Sequence, residues 1–324
     1  MELVTAAPGT SHARTTGPSR EPLRVGLVQT RWHADPAEHR AVLRDGIATA
    51  ARAGARLVCL PELTLSRYPA DVRPDTAADA TAEDLATGPT RTFLAEVARD
   101  TGVAVHGSLF ERAPGDDGLG YNTAVLVGPD GTLLGRTRKL HIPRTEGYYE
   151  DRYFRPGPAG EDPFPVVDLP GDGSAPDARL GLPTCWDQWF PEVARAYSLA
   201  GAEVLVYPTA IGSEPGHPEF DTAPLWRHVI VGHGITNGTF MVVPNRWGDE
   251  GLVTFYGSSF ISDPYGRVLA EAPRDADAVL VADLDLDQRR DWLTLFPFLQ
   301  TRRPDAYAAL TTPLAASLPA DVPA

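Results

Sequence analysis

Short apolar runs alternate along this chain with stretches of helical spacing, and that alternation restricts the fold more than any other feature. LRVGLVQT, from Leu23, reads as a buried strand. Asp35, Pro36 and Glu38 then supply an N-cap, an N1 proline and a first-turn carboxylate. Leu43, Ile47 and Ala50 follow at the spacing of one helix face, and Gly54 predicts the stop before the next apolar run, ARLVCLPEL. Strand, helix and strand in this order make a β-α-β unit. A second helix is predicted from Pro89 to Asp100, with Phe93, Leu94 and Val97 inward, leading into VAVHGSLFE. NTAVLVG and GTLLGRTRKL flank Pro129-Asp130-Gly131, a hairpin signal. The second half keeps the same alternation, with strand RLGLPTC, helix Pro191 to Leu199, strand VLVYPTA, a helix through Trp226 to Ile235, and strand TFMVVPN. SSFIS, RVLAEA and AVLVADLDL then predict consecutive antiparallel strands, with a turn over residues 263–266. Parallel units with antiparallel additions point to an α/β protein with two mixed sheets under helices, not one all-parallel sheet.

Several classes of function are disfavoured at once. With 29 Lys and Arg against 43 Asp and Glu the formal charge is −14, which argues against a nucleic-acid partner. No GxGxxG or GxxxxGK[ST] string follows a strand, so nothing supports nucleotide binding. No apolar run approaches the ~20 residues of a membrane helix, and no membrane partner is expected. The two cysteines, Cys59 and Cys185, form no disulfide framework, which favours a reducing, cytoplasmic setting. His228 and His233 are five apart and miss the spacing of a helical zinc site; Asp283, Asp285 and Asp287 are expected to solvate a strand edge, so no metal is expected. Residues 1–22 lack an apolar stretch and are expected to be disordered, 23–307 to form one domain, and 308–324 a C-terminal tail.

Reactive groups in α/β folds gather at the carboxyl ends of strands. Three such ends carry chemistry here: Glu62 in Leu60-Pro61-Glu62-Leu63, Lys139 in Arg138-Lys139-Leu140-His141, and Cys185 in Pro183-Thr184-Cys185-Trp186. A cysteine nucleophile needs a base for its proton and a cation or N–H donor where oxyanion charge develops, and these residues are of the required types. Taken singly, each also reads as a buried thiol or an ion-paired surface residue.

At these positions the chain resembles the carbon–nitrogen hydrolase, or nitrilase, superfamily. The resemblance runs from about Leu23 to Tyr307 and rests on LPEL, RKLHIP, CWDQWFPE and GAEVLVYPTAIGSEP, joined by GHGITNG, VVPNR, GSSFISDPYG and RRPDAY. Within the superfamily, CWDQWFPE and YPTAIGSEP are most similar to the N-carbamoylputrescine amidohydrolase branch. The resemblance implies a four-layer α-β-β-α sandwich, with Glu62 as general base, Lys139 as oxyanion-stabilising cation and Cys185 as nucleophile. Glu150, in GYYEDRYF, matches a second family glutamate that would orient the lysine or the attacking water, although Glu146, Glu150 and Asp151 also read as a solvated acidic loop. The Trp186 N–H is the natural second oxyanion donor. No cofactor is implied, and self-association as a dimer or larger homo-oligomer is.

The implied reaction is hydrolysis of a small N-carbamoyl amine to free amine, carbon dioxide and ammonia. A substrate ending in an ammonium calls for a carboxylate across the pocket, because an unpaired buried charge costs several kcal/mol. Asp187 and Glu214 are the candidates, each equally readable as a helix cap or an arginine partner. Departing from the family's more polar pattern, Phe220 to Leu225 brings apolar residues to the pocket mouth, which fits instead an amidase for a larger amide. A non-catalytic binding module on the same fold is the third reading, and the intact Glu62, Lys139 and Cys185 argue against it.

Overall fold

The strand Leu23–Gln29 occupies the middle of a seven-stranded sheet because both its faces are apolar. It runs parallel to Leu57–Cys59, which is parallel to Ala104–Glu111. The antiparallel strands Tyr121–Val127 and Leu133–Arg138 extend the sheet on that side. A six-stranded sheet is built from Val268–Glu271, Phe260–Ser262, Phe240–Val243, Val204–Val206, Ala178–Gly181 and Val166–Leu169 in that spatial order. The computed structural model of the chain describes residues 1–74, 78–115, 117–145, 147–158, 160–171 and 177–312.

Period-two alternation decides which side chain goes where. Val25, Leu27, Leu57 and Cys59 enter a core shared with Leu180, Val204, Val206, Phe240 and Val242 of the other sheet. Val28 and Val58 turn the other way, onto Leu43, Ile47 and Ala50 of the helix Pro36–Arg52 and Phe93, Leu94 and Val97 of the helix Pro89–Thr101. On the far face Leu205, Met241 and Val243 meet the helices Pro191–Leu199 and Ala223–Asn237. The result is the four-layer α-β-β-α sandwich. Local signals act where the residues place them: the Asp35 side chain accepts the Ala37 N–H at 2.8 Å, and Gly102 closes its helix at φ +70°. Gly26 is a packing requirement, since a Cβ there would lie 2.7 Å from the Cβ of Ala50.

Three expectations are corrected. The strand Ala278–Leu284 does not pair with Val268–Glu271; it crosses to the seven-stranded sheet and lies antiparallel to Leu23–Gln29. Its composition explains this. Ala278, Leu280 and Ala282 enter the core between the sheets while Val279 and Val281 enter the helix-facing core, so only an interior position buries both faces. Residues 1–22 are not disordered. Glu2–Ala6 forms the edge strand parallel to Ala278–Leu284, and Arg14 bonds Asp285 at 2.7 Å and Asp291 at 2.8 Å, Ser19 bonds Asp287, and Arg20 pairs with Glu203. Polar side chains meeting an acidic patch order this segment, so a search for apolar length misses it. Asp283, Asp285 and Asp287 therefore hold arginines and a serine instead of solvating an edge, Asp283 pairing with Arg24 at 2.7 Å. At the other end, short 3₁₀ turns run through Pro304–Ala306 and Ala308–Thr311, and the tail from 313 lies outside the described residues. No helix among the described residues is long and apolar enough to cross a membrane.

Two buried histidines give the fold a pH dependence. Burial lowers His39 from 6.5 to about 4 and His106 to about 3; neither ring nitrogen of His106 has a partner among the described residues. Both are neutral when folded and take up protons near 6.5 when unfolded. Their contribution is thus intact above that value and is lost as pH falls below it, at ~1.4 kcal/mol per pH unit for each histidine. Unfolding free energy measured from pH 7 to 5 is expected to fall, and the slope to be shallower by one proton in His106→Leu. An unchanged slope in that variant would contradict the assignment.

Candidate active site

The predicted strand ends converge. Glu62 follows Leu57–Cys59 and Lys139 follows Leu133–Arg138 in one sheet; Cys185 follows Ala178–Gly181 in the other. Glu62 N–H donates across the sheets to Thr209 O at 3.4 Å, and Cys185 N–H donates to Pro208 O, beyond the neighbouring strand of its own sheet, at 3.0 Å. The Lys139 N–H donates to Asn122 O at 2.8 Å.

A charge network with no solvent exposure occupies this junction. Lys139 Nζ donates to Glu62 Oε1 at 2.9 Å and to both Glu150 oxygens at 2.9 and 2.7 Å. Asn122 Nδ2 reaches the same Glu62 oxygen at 2.7 Å, and Tyr68 OH donates to Glu150 Oε1 at 3.0 Å. Burial works against the Lys139 charge, but the carboxylates of Glu150 and Glu62 outweigh it and hold the ammonium protonated beyond its usual range. Burial pushes the Glu150 carboxyl up, Lys139 pulls it down, and the nearby Glu62 charge adds to the upward shift. Glu62 Oε1 is thus pinned by two donors, whereas Oε2 is buried and has no partner among the described residues. A carboxylate held by one oxygen with the other open is suited to accept a proton.

Cys185 is buried and has φ +38°, a left-handed backbone that costs a non-glycine residue energy and persists only where neighbours enforce it. Burial raises its thiol well above the ordinary range; the Glu62 charge raises it further and Lys139 draws it back. The resting group is therefore the neutral thiol, which needs a base before it can attack. Cys185 opens a 3₁₀ turn, Cys185–Trp189, whose first internal bond is Asp187 N–H to Thr184 O at 3.0 Å. The Trp186 N–H thus has no carbonyl inside the turn to meet. Cys59 is wholly buried in the core between the sheets, and desolvation alone holds its thiol up.

The remaining predicted residues separate. Trp186 is half-buried, edge-on to Trp189 at 6.4 Å. Glu214 is half-buried, 3.3 Å from Thr222 Oγ1, with no Lys or Arg partner among the described residues, and burial raises its carboxyl. The Asp187 carboxylate is taken up by protein groups: it accepts N–H bonds from His141 at 3.0 Å and Thr184 at 3.1 Å and meets His141 Nδ1 at 2.8 Å. Glu150 is buried on a 3₁₀ turn, Glu150–Arg152, and not solvated; Glu146 lies outside the described residues. Sequence reading missed Asn122, Tyr68 and Arg246. Asn122 left a signal as an amide inside the apolar strand Tyr121–Val127, and Arg246 closes the string VVPNR without a role attached to it. Arg246 pairs with Glu250 at 2.8 Å and donates to Glu62 O at 2.6 Å and Leu63 O at 3.3 Å, bracing Leu63, which sits at φ +50°. Among the described residues no group of three or more His, Cys, Asp or Glu is placed to hold a metal.

A thiol, an open carboxylate oxygen and a fixed ammonium at the meeting point of two sheets define a hydrolase scaffold of the α-β-β-α type. Residues 24–293 match the family described as carbon-nitrogen hydrolase, and the chain belongs to that family, whose members act on C–N bonds other than peptide bonds. A citrullinase of Francisella tularensis subsp. tularensis is 37% identical over 292 residues, 88% of this chain and 96% of that protein. An N-carbamoylputrescine amidase of Arabidopsis thaliana is 41% identical over 232 residues, 69% of this chain and 74% of the other. Among solved structures, a carbon–nitrogen hydrolase from Helicobacter pylori superposes with TM-score 0.80 at 31% identity, covering 90% of this chain and 99% of its own. A mutant amidase from Nesterenkonia sp. AN1 superposes with TM-score 0.70 at 27% identity, covering 91% of this chain and all of its own, and carries the acetamide moiety of fluoroacetamide covalently at its active-site cysteine.

Iodoacetamide followed by peptide mass mapping is expected to label Cys185 and spare Cys59 in the folded protein, and the reverse pattern would reject Cys185 as the reactive thiol. Because Glu150 is raised above the ordinary 4.5, the acid limb of the pH profile for kcat/KM should sit above that value. In Glu150→Gln this raised titrating group is gone, so the limb moves to lower pH while the plateau drops. A limb that stays in place would remove Glu150 from the network's titration.

Proposed function

We propose that this enzyme hydrolyses a terminal ureido group by cysteine catalysis, with N-carbamoylputrescine as the substrate that fits best. Glu62 Oε2 takes the Cys185 proton as sulfur attacks the ureido carbon. The oxygen of that group gains negative charge facing the Lys139 ammonium and the Trp186 N–H. The C–NH₂ bond then breaks, and the departing nitrogen takes the proton from Glu62 and leaves as ammonia. A water gives its proton to Glu62 and its oxygen to the carbonyl carbon; the C–S bond breaks and the proton returns to sulfur. The released carbamic acid falls apart into amine and carbon dioxide. Atoms and charge balance with no further reactant.

Glu214 carries the substrate reading. Burial, then the Glu214 charge and, more weakly, the Cys185 charge raise the Tyr148 phenol, and Tyr256 feels the same two groups. Thiol and carboxylate thus both lie within electrostatic reach of Tyr148 and Tyr256, which supports a site spanning the two ends of a short ureido-amine. The adjoining cleft of about 560 Å³ is lined by Glu219, Asp221 and Asp275 against one cation, Arg274, which Asp221 already engages at 2.7 Å. That surplus of negative charge favours a tail bearing only an ammonium over the zwitterionic end of citrulline. A second reading, an amidase for a bulkier amide, draws support from Phe220, more than half exposed on the same cleft.

Glu214→Gln is expected to raise KM for N-carbamoylputrescine about tenfold, the equivalent of ~1.4 kcal/mol, and to leave KM for a neutral alkylurea of equal length nearly unchanged. Equal changes on both would deprive the ammonium of its reader and move the amidase reading ahead.

A further inference from the structure

We infer that Asp187 is a positioning residue: its buried carboxylate clasps the loop carrying Lys139 to the turn carrying Cys185 and so sets the separation of the two groups. The inference rests on the roles proposed above for those two residues. Oδ1 accepts the His141 N–H at 3.0 Å and lies 2.8 Å from His141 Nδ1; Oδ2 accepts the Thr184 N–H at 3.1 Å and faces the Leu140 N–H at 3.5 Å. Leu140 and His141 directly follow Lys139, and Thr184 directly precedes Cys185. One carboxylate therefore binds the two segments in the residues that flank their reactive side chains.

The clasp joins different sheets. Lys139 leaves the edge strand Leu133–Arg138 of the seven-stranded sheet, while Cys185 leaves Ala178–Gly181 inside the six-stranded sheet. Asp187 is only 1% exposed, so its donors are all protein groups and it is not free to meet a substrate amine. His141 completes the device: its ring stacks on Phe190 at 3.6 Å and 10°, at the start of the helix Pro191–Leu199, which fixes the imidazole opposite Oδ1. Cys185 needs such support because its positive φ is costly without enforcement. Lys139 Nζ is tied to Glu62 and Glu150 but its backbone position relative to the thiol is set here. Misplacement of reacting groups by about 1 Å costs roughly a hundredfold in rate.

Asp187→Asn separates this role from the others, since its amide must turn an NH₂ toward either the His141 pair or the Thr184 and Leu140 N–H groups, and one half of the clasp opens. The expected result is a kcat lower by roughly a hundredfold with KM within about threefold, the pattern of a disturbed reacting geometry. His141→Phe keeps the stack on Phe190 and the backbone N–H but removes the Nδ1 contact, so a smaller loss, about tenfold or less in kcat at unchanged KM and melting temperature, is expected. The pH profile of Cys185 alkylation by iodoacetamide reads the same geometry without assuming a substrate: a thiol farther from the Lys139 ammonium ionises at higher pH, so the profile moves up in both variants. If the ureido substrate is wrong but the clasp is right, the alkylation profile still moves. An Asp187→Asn effect confined to KM overturns the proposal in favour of substrate reading. Should Asp187→Asn fail to fold, His141→Phe decides, and a parental kcat with an unmoved alkylation profile overturns the proposal.

Discussion

An ammonium with no access to water is the constraint around which the rest of this molecule is arranged. Lys139 lies between Glu62 and Glu150 at 2.7–2.9 Å, and all three side chains are buried. Taking such ions out of water costs several kcal/mol apiece, and removing one partner of a buried pair typically costs about 3–5 kcal/mol. Two carboxylates around one ammonium leave a surplus negative charge, and Asn122 and Tyr68 spread it by donating one bond to each acid. Those two residues are thus as much a condition of the lysine's presence as the acids. Burial keeps the neighbouring thiol neutral at rest, and the same surplus adds to that, since Glu62 resists a second negative charge beside it. In the proposed reaction, chemistry begins when a proton moves from sulfur to the open oxygen of Glu62, which leaves the total charge unchanged.

Backbone strain falls at Cys185 and directly beside Glu62, the two groups of that proposed transfer. Leu63, next to Glu62, and Cys185 are two of the three non-glycine residues with positive φ among those described. Each is enforced by groups brought from elsewhere: Ser108 Oγ at 2.7 Å from the Leu63 N–H together with the Arg246 guanidinium, and the carbonyl of Pro208 on the Cys185 N–H. A strained turn tips its side chain away from the strand direction, which lets residues ending strands of two sheets face one another. The Arg246–Glu250 pair, itself buried, is part of this enforcement and explains a second costly charge pair so near the first.

What the sequence made legible follows the range of the interactions. Helix stops, the Asp35 cap and the inward faces of the strands depend on neighbours within a few residues, and they stand where local pattern puts them. The pairing of Ala278–Leu284 with Leu23–Gln29 and the docking of Arg14 on Asp285 and Asp291 join ends of the chain, and period-two or composition arguments carry no information on which distant partner wins. The site divides in the same way. Glu62, Lys139, Glu150 and Cys185 sit in long distinctive strings, whereas Tyr68 and Arg246 matter only because folding brings them to Glu150 and to the Glu62 carbonyl. Asp187 shows the hazard most clearly: two residues past the nucleophile, it reads as a pocket acid, yet its carboxylate is taken up by backbone N–H groups.

The proposed reaction and the proposed specificity are consequently held by different parts of the chain with different physical demands. The acid, lysine and thiol are at strand ends in the dry junction of the sheets, where a change in one charge unbalances the rest. Glu214 and residues 218–222 are on a connection between the strand Val204–Val206 and the helix Ala223–Asn237, partly exposed and tied down by Thr222 on Glu214 and Arg274 on Asp221. Such a segment can change its side chains without cost to the network beneath it. Proteins that share the reacting groups can therefore differ in what they bind at the far end of the pocket, and in the function proposed for this chain the acidic character there, Glu214 and Glu219 with Arg274 engaged by Asp221, would select the tail of the substrate.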